Sequence, residues 1–277
     1  MKTPGSETNE SAMRKPNALV TGAAARLGRD MARALAREGF NVAVHHLSTP
    51  ADRIVSDIRA MGCRAISIKA DLLDESETRN LLPAAAEALG GPISVLVNNA
   101  SIFEYDSIET ATRRSWDRHI ESNLRAPFVL IQALAAQAPG PTRDGMGELR
   151  AEALAINMID QRVRKLTPEF MTYTIAKAAL WTLTRSAAQA LAPRIRVNAI
   201  GPGPTLRGHR QSAEHFARQR ATTILGRGAN SEDIIEALRY FLHAPAVTGQ
   251  LLCVDGGQHI GWAVSDDLDS EPEDGTA

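Results

Sequence analysis

Cysteine is scarce in this chain, with two in 277 residues, Cys63 and Cys253, and neither a CxxC nor a metal-ligand spacing. That excludes a disulfide framework and a thiolate metal site, and makes a reducing cytoplasm the expected setting. Neither sign of charge dominates: 31 Lys and Arg stand against 32 Asp and Glu. The balance argues against nucleic acid as a partner and against a basic membrane-surface patch. No apolar run approaches the roughly 18 residues of a membrane-spanning helix. The polar N-terminus lacks the apolar stretch of a signal peptide. Aromatics are few and alanine is abundant, which suits many helices.

What is present is a regular alternation. Apolar runs at Ala18–Val20, Val42–Val44, Ala65–Ile68, Ile93–Val97, Leu154–Ile159, Ile195–Ile200 and Leu251–Val254 have the length and composition of buried strands. Helical patterns fill 27–38, 51–61, 75–89, 110–137, 169–192 and 231–243. Strands alternating with helices imply an α/β fold whose parallel sheet is covered on both faces. No linker breaks the body, so one domain is expected over 15–263. A disordered arm is expected over 1–14, and a disordered acidic tail, with six acids and no bases, over 264–277. The connector 138–150, rich in Pro, Gly and charge, reads as a surface excursion. The polar stretch from Thr205 to Gly228 reads as irregular.

The first strand runs into Thr21-Gly22-Ala-Ala-Ala-Arg26-Leu27-Gly28. A strand, a glycine turn and a helix N-terminus can cradle a pyrophosphate on backbone N–H groups; a tight strand-to-helix connection has the same pattern. Arg26 adds a cation that the bare connection does not need. The second strand ends His45-His46-Leu47-Ser48-Thr49. No carboxylate stands there to bind a ribose 2′-OH. The histidines, Ser48, Thr49 and Arg26 could instead receive a 2′-phosphate, which favours NADPH, or the histidines merely end a strand at the surface. As strand neighbours, His45 and His46 point to opposite faces and do not chelate one metal ion. Asp71, before Leu72, could accept from an adenine amino group or cap the next helix. Asn98 and Asn99, before Ala100, Ser101 and Phe103, end the fourth strand where open α/β sheets bind ligands, and could equally form a turn.

Tyr173 and Lys177 are four residues apart, so a helix stacks them on one face. An ammonium beside a phenol favours the phenolate and lowers its pKa, which would suit the pair as a proton donor for a reduced product; an aromatic and a lysine sharing a solvated helix face have the same spacing. Asp160 lies thirteen residues before the tyrosine. An ionised aspartate accepts hydrogen bonds and repels a developing alkoxide, so it suits a substrate that offers N–H donors; a turn residue after a strand is the other reading. Asn123 sits in a helical pattern where asparagine has poor propensity.

The order of these motifs, with Arg196-Val197-Asn198, Pro202-Gly203 and Thr248-Gly249-Gln250…Val254-Asp255-Gly256-Gly257, resembles the short-chain dehydrogenase/reductase family over about residues 16–262. The resemblance implies a single-domain Rossmann fold with a doubly wound, seven-stranded parallel sheet, helices on both faces, and assembly as a homotetramer. Arg26 in place of a middle glycine, Ser101-Ile-Phe103, and Asp160 in place of a serine are similar to the pteridine reductases and dihydromonapterin-type reductases. That implies NADPH as cofactor and a small pterin-like substrate. The implied catalytic group is Asp160, Tyr173, Lys177 and Asn123, the last through a water linking Lys177 to solvent. Implied cofactor contacts are Gly22, Arg26, Leu27, Gly28, His45, His46, Leu47, Ser48, Asp71, Leu72, Asn99, Ala100, Ser101, Tyr173, Lys177, Pro202, Gly203 and Thr205. Implied substrate contacts are Arg26, Ser101, Phe103, Asp160 and Tyr173, and the segment after Pro202-Gly203 is expected to close over the site. A ketone or 3-oxoacyl reductase and a non-catalytic NADP-binding regulator are the alternatives. Members often carry arginine where Ser48 stands.

Overall fold

The computed structural model describes residues 15–208 and 211–262; the expected arm (1–14) and acidic tail (264–277) lie outside the described residues. In chain order the elements are β1 (Asn17–Val20), α1 (Arg26–Arg37), β2 (Asn41–His46), α2 (Asp52–Ala60), β3 (Ala65–Lys69), α3 (Glu75–Leu89), β4 (Ile93–Asn98), α4 (Arg113–Ile120), α5 (Ala126–Gln137), β5 (Thr142–Arg143), β6 (Leu149–Arg150), β7 (Ala153–Met158), α6 (Met171–Leu191), β8 (Ile195–Pro202), α7 (Ala213–Ala221), α8 (Ser231–His243) and β9 (Leu251–Val254). Seven strands form one parallel sheet in the order β3-β2-β1-β4-β7-β8-β9. The winding reverses between β1 and β4, and the C-terminal edge of that switch is where such sheets hold ligands.

The strand runs are apolar throughout because both faces are buried. Alternate residues serve different cores. Val20, Val42, Val44, Val97 and Ile156 pack with Met31, Leu35, Ile54, Ile58, Leu238 and Phe241 of α1, α2 and α8. Leu19, Ala43, Leu96, Ala155 and Val197 pack with Leu81, Leu82, Leu130, Leu134 and Ala188 of α3, α5 and α6. This is the doubly wound, seven-stranded fold expected.

Three local expectations are corrected. The helix expected over 110–137 is two helices: a Thr112/Ser115 capping box starts α4, and a π turn over Glu121–Arg125 separates it from α5. Pro127 has no N–H for the carbonyl of residue 123, so the i→i−4 ladder fails there and the turn widens. The polar stretch after Thr205 contains α7, capped by the Ser212 hydroxyl on the His215 N–H; no α7 residue is buried, so it leaves no apolar periodicity to read. The 138–150 connector is exposed as expected, and carries the β5–β6 hairpin. Among the described residues no helix is long and apolar enough to cross a membrane.

Candidate active site

The glycine turn lies at the C-terminal end of β1. Gly22 has φ +62, and a Cβ on Gly28 would overlap the Gly22 carbonyl, so both positions require glycine. Helix α1 then starts without a side-chain cap and without an acid in its first turn. Its free N–H groups make an anion cradle. Arg26, itself at φ 52, donates to the carbonyls of Leu206 (3.2 Å) and Arg207 (3.1 Å), tying the turn to the segment after β8.

Several expected cofactor residues are engaged within the protein, two of them in supporting this turn. His45 is buried: its Nδ1 accepts from the Gly22 N–H (3.0 Å) and its Nε2 meets the Ala70 carbonyl (3.0 Å). Burial depresses its pKa, so a neutral imidazole pins the turn and is no phosphate ligand. The Asn99 amide donates to the Thr21 (2.9 Å) and Gly22 (3.3 Å) carbonyls. Leu72 is buried in the core under α3. Asp71 forms a turn with the Leu73 N–H (3.0 Å), while Asp74 caps α3, which corrects the capping alternative. Thr205 is buried and donates to the Gly203 carbonyl (3.1 Å). His46, at the end of β2, has its Nδ1 buried without a hydrogen-bond partner among the described residues, next to exposed Leu47 and Ser48. An uncapped helix start, a turn with no room for a side chain and an orphaned imidazole nitrogen in place of a carboxylate fit a dinucleotide carrying a 2′-phosphate.

Around the end of β7 the structure brings Asp160, Tyr173, Lys177, Ser101 and Phe103 together. The Tyr173 hydroxyl donates to Asp160 Oδ2 (3.0 Å), and Asp160 Oδ1 accepts from the Arg162 N–H (2.9 Å) at the start of a short 3₁₀ turn. Asp160 is thus both the turn residue and the partner of the tyrosine. Phe103 is about half exposed and meets Tyr173 edge-on, with ring centroids 4.7 Å apart. Lys177 is buried and donates to the Met158 carbonyl (2.8 Å). The Asn123 side chain pairs with the Ile102 N–H (3.0 Å) and carbonyl (2.9 Å), fixing the loop that carries Ser101 and Phe103.

The electrostatics reverse one expectation. Tyr173 is pushed well above 10, first by burial and then by the Asp160 carboxylate; the Ser101 hydroxyl beside it only partly opposes them. Burial likewise raises the Asp160 carboxyl, against the Arg162 N–H and charge. Burial lowers Lys177 to about 8, opposed by Asp160. The phenol is therefore held protonated, and the nearest strong influence on it is the aspartate rather than the lysine. Stability follows from the lysine's sign. Between about 8 and its ordinary value near 10.4, an unfolded lysine keeps a proton that the folded one lacks, so stability rises with pH. Relative to Lys177→Met, the wild-type unfolding free energy should climb by about 1 kcal/mol per pH unit from pH 8 to 10. A flat difference in urea titrations over that range would refute the assignment.

Sequence reasoning missed Phe170 and Arg162. Phe170 stacks on Phe103 with centroids 4.3 Å apart and planes within 8°, Tyr105 meets it edge-on at 5.3 Å, and the Arg162 guanidinium lies 4.8 Å from its ring centre. The chain has six phenylalanines and three tyrosines, and two of each gather here. In the sequence they are two separate pairs, Phe103/Tyr105 and Phe170/Tyr173, and the second, at the start of α6, was the available signal.

The family described as Enoyl-(Acyl carrier protein) reductase matches residues 22–259. A 3-oxoacyl-[acyl-carrier-protein] reductase FabG of Staphylococcus aureus is 32% identical over 252 residues, spanning 88% of this chain and 98% of that protein. Among solved structures, the FolM alternative dihydrofolate reductase 1 from Brucella canis, complexed with NADP, superposes with a TM-score of 0.83 at 40% identity, covering 91% of this chain and 97% of that one. A short chain dehydrogenase from Burkholderia cenocepacia J2315 in complex with NADP gives a TM-score of 0.78 at 29% identity, covering 88% and 97%.

Proposed function

The chain belongs to the short-chain dehydrogenase/reductase family, and within it we propose an NADPH-dependent reductase of a dihydropterin-type ring. The carrying observation is the Asp160 carboxylate bonded to the Tyr173 hydroxyl beside the exposed Phe103 ring. An oxoacyl reductase has no use for an anion where an alkoxide develops, whereas a ring bearing N–H groups meets an acceptor there. The 40% identity to an alternative dihydrofolate reductase supports the same reading. The FabG relative favours a second one, 3-oxoacyl reduction on the same scaffold.

NADPH, when bound, supplies the hydride for a ring C=N carbon. The first turn of α1 with Arg26 would hold its phosphates, and His46 with Ser48 its 2′-phosphate. Phe103 stacks the substrate ring, and Ser101 lies against the reacting edge. Asp160 accepts from ring N–H groups on lone pairs that Arg162 and Tyr173 leave free. Tyr173, protonated throughout the working range, delivers the proton to ring nitrogen. The tyrosinate regains its proton from solvent after product leaves, and Lys177 holds the end of β7 beneath them through Met158. Assembly as a homotetramer and a cytoplasmic location belong to the same reading.

Two measurements bear on it. NADPH should be preferred over NADH by at least about tenfold in kcat/KM, or about 1.4 kcal/mol, and His46→Asp should shift the preference toward NADH; equal values for the two cofactors would overturn the cofactor assignment. For the substrate, NADPH oxidation is followed with dihydrobiopterin, dihydromonapterin, dihydrofolate and acetoacetyl esters side by side. Asp160→Ser should lose about ten- to a hundredfold on the pterin, because it leaves substrate donors unpaired at a cost of roughly 1–3 kcal/mol. Serine keeps an acceptor for the Arg162 N–H, so folding should survive. Wild-type pterin turnover in that variant would reduce Asp160 to a turn residue and sink the pterin reading.

A further inference from the structure

The loop from Phe103 to Asp106 is bound to the start of α6 on two sides, and the residues alternate between them. Phe103 and Tyr105 are exposed and pack on Phe170, by stacking and edge-on respectively. Glu104 and Asp106 turn the other way, as an extended chain requires. The Glu104 N–H donates to His119 Nε2 (3.1 Å), and His119 Nδ1 lies 2.7 Å from the Thr172 hydroxyl oxygen. That hydroxyl donates to Asp106 Oδ2, while Asp106 Oδ1 accepts the Thr172 N–H (3.1 Å) and the Asp106 carbonyl accepts the Met171 N–H (3.2 Å). His119 is fully buried and Asp106 nearly so. Nothing in the proposed chemistry uses either.

The direction of every bond in this chain is forced. A backbone N–H can only donate, so His119 Nε2 carries no proton and Nδ1 must carry one. Nδ1–H then donates to Thr172, whose own proton is left for the carboxylate. The groups facing the relay are consistent with this. Burial lowers the His119 pKa against the pull of Asp106 and Glu104, with Arg118 and Lys177 also disfavouring its charge. Burial by itself would lift the Asp106 carboxyl, but the Thr172 hydroxyl and N–H and the Ser115 hydroxyl outweigh it and hold it below the usual range. A neutral imidazole between a fixed donor and a fixed anion has one tautomer and one orientation. The residue after Thr172 is Tyr173, whose ring lies 6.0 Å from the His119 ring. Phe170, at the other end of the same turn, sits at φ +55, a backbone strain that the stack and the Met171 bond hold in place.

We propose that His119 and Asp106 are positioning residues that lock Phe103 and Tyr173 into one frame through a directed relay from the Glu104 N–H across His119 and Thr172 to Asp106. The proposal rests on Tyr173 acting as proton donor, but not on the identity of the substrate. Phe103 comes from a loop and Tyr173 from α6, 70 residues apart in the chain, and hydride and proton must reach one substrate together. Breaking the relay frees the first turn of α6 from the aromatic shelf while leaving the glycine turn untouched.

The test uses the full-length protein and, from the panel above, whichever substrate the wild type reduces fastest, so the pterin reading and the relay fail separately. Asp106→Asn is close to isosteric. It presents an amide donor that reverses the Thr172 hydroxyl and flips the His119 tautomer, setting Nε2–H against the Glu104 N–H. It should lower kcat about ten- to fiftyfold, with the NADPH dissociation constant, read by cofactor fluorescence, within twofold. His119→Phe should match it, and the double variant should be no slower than the worse single, because both break one chain. His119→Asn, whose amide can donate from the place of Nδ1, should recover part of the lost kcat. Wild-type kcat in Asp106→Asn would overturn the proposal. So would parallel losses of NADPH affinity and thermal stability, with no recovery in His119→Asn, because that pattern belongs to a general support of the fold.

Discussion

Replacing Tyr173 by phenylalanine should lower kcat/KM by about a hundred- to ten-thousandfold on any substrate the enzyme reduces, the range that a general acid contributes. The ring would stay. Its edge contact with Phe103 and its approach to His119 involve carbon atoms alone, so the shelf and the first turn of α6 should hold. What disappears is the one hydroxyl that donates to Asp160 Oδ2. The carboxylate then loses a donor that lowers its pKa, and its protonated fraction near neutrality should grow. Because the wild-type phenol is held well above 10, the wild-type rate should show no falling limb from tyrosine ionisation up to that pH. NADPH affinity should change by less than about threefold, since the proposed phosphate cradle is at α1. Steady-state kinetics with a parallel cofactor titration decide the matter. Turnover within fivefold of the wild type would remove Tyr173 from the chemistry.

That pKa shows where sequence reasoning stops. The spacing of Tyr173 and Lys177 correctly puts them on one face of α6, and a lysine so placed is expected to lower the phenol. Spacing along a helix says which residues are neighbours, not which group from another element reaches them first. Asp160 arrives from the end of β7, and the Lys177 ammonium turns to the Met158 carbonyl. The same limit applies to His45 and His46. Strand alternation assigns them to opposite faces, but only the Gly22 N–H on His45 Nδ1 identifies which of the two supports the turn. Elements with a distinct apolar pattern were legible: the seven strands are apolar because both faces are covered, and their parallel pairing follows from alternation with helices. Segments without that signature were not. Helix α7 buries nothing, the π turn before Pro127 changes no residue's polarity, and His119 is a single buried polar residue on a short helix. Phe170 and Arg162 acquire their role only when the turn after Asp160 folds back over Phe103.

Arg196→Met should be among the most destabilising single changes in the domain, at about 3 kcal/mol. The residue was legible only as part of a motif, Arg-Val-Asn; its task lies in the fold. Arg196 is a buried cation on β8, and no carboxylate lies within 4.0 Å of it among the described residues. Its Nη1 donates to the carbonyls of Phe241 (2.8 Å), Ala244 (2.9 Å) and Val247 (3.2 Å), and its Nη2 reaches that of Leu242 (3.4 Å). These are mostly carbonyls that the end of α8 leaves without helical partners, at the negative end of its dipole. Two effects compete on substitution. Methionine relieves the desolvation that lowers the guanidinium pKa, which favours the variant. It also strands the carbonyls of Phe241 and Leu242, each worth roughly 1–3 kcal/mol when left unpaired, while those of Ala244 and Val247 keep the Val247 N–H and the Asn198 amide. The acceptors outnumber the single charge, so the loss should win, and at this size 3 kcal/mol lowers Tm by about 6–12 °C. Arg196→Lys keeps the charge but cannot span carbonyls from Phe241 to Val247 with a planar fork, so it should fall between the two. Urea unfolding at fixed pH measures this as a fall in midpoint at constant slope. A midpoint equal to wild type in Arg196→Met would mean that desolvation of the cation cancels its bonds, and that apolar packing of Ile234, Ala237, Leu238 and Phe241 holds α8 to the sheet.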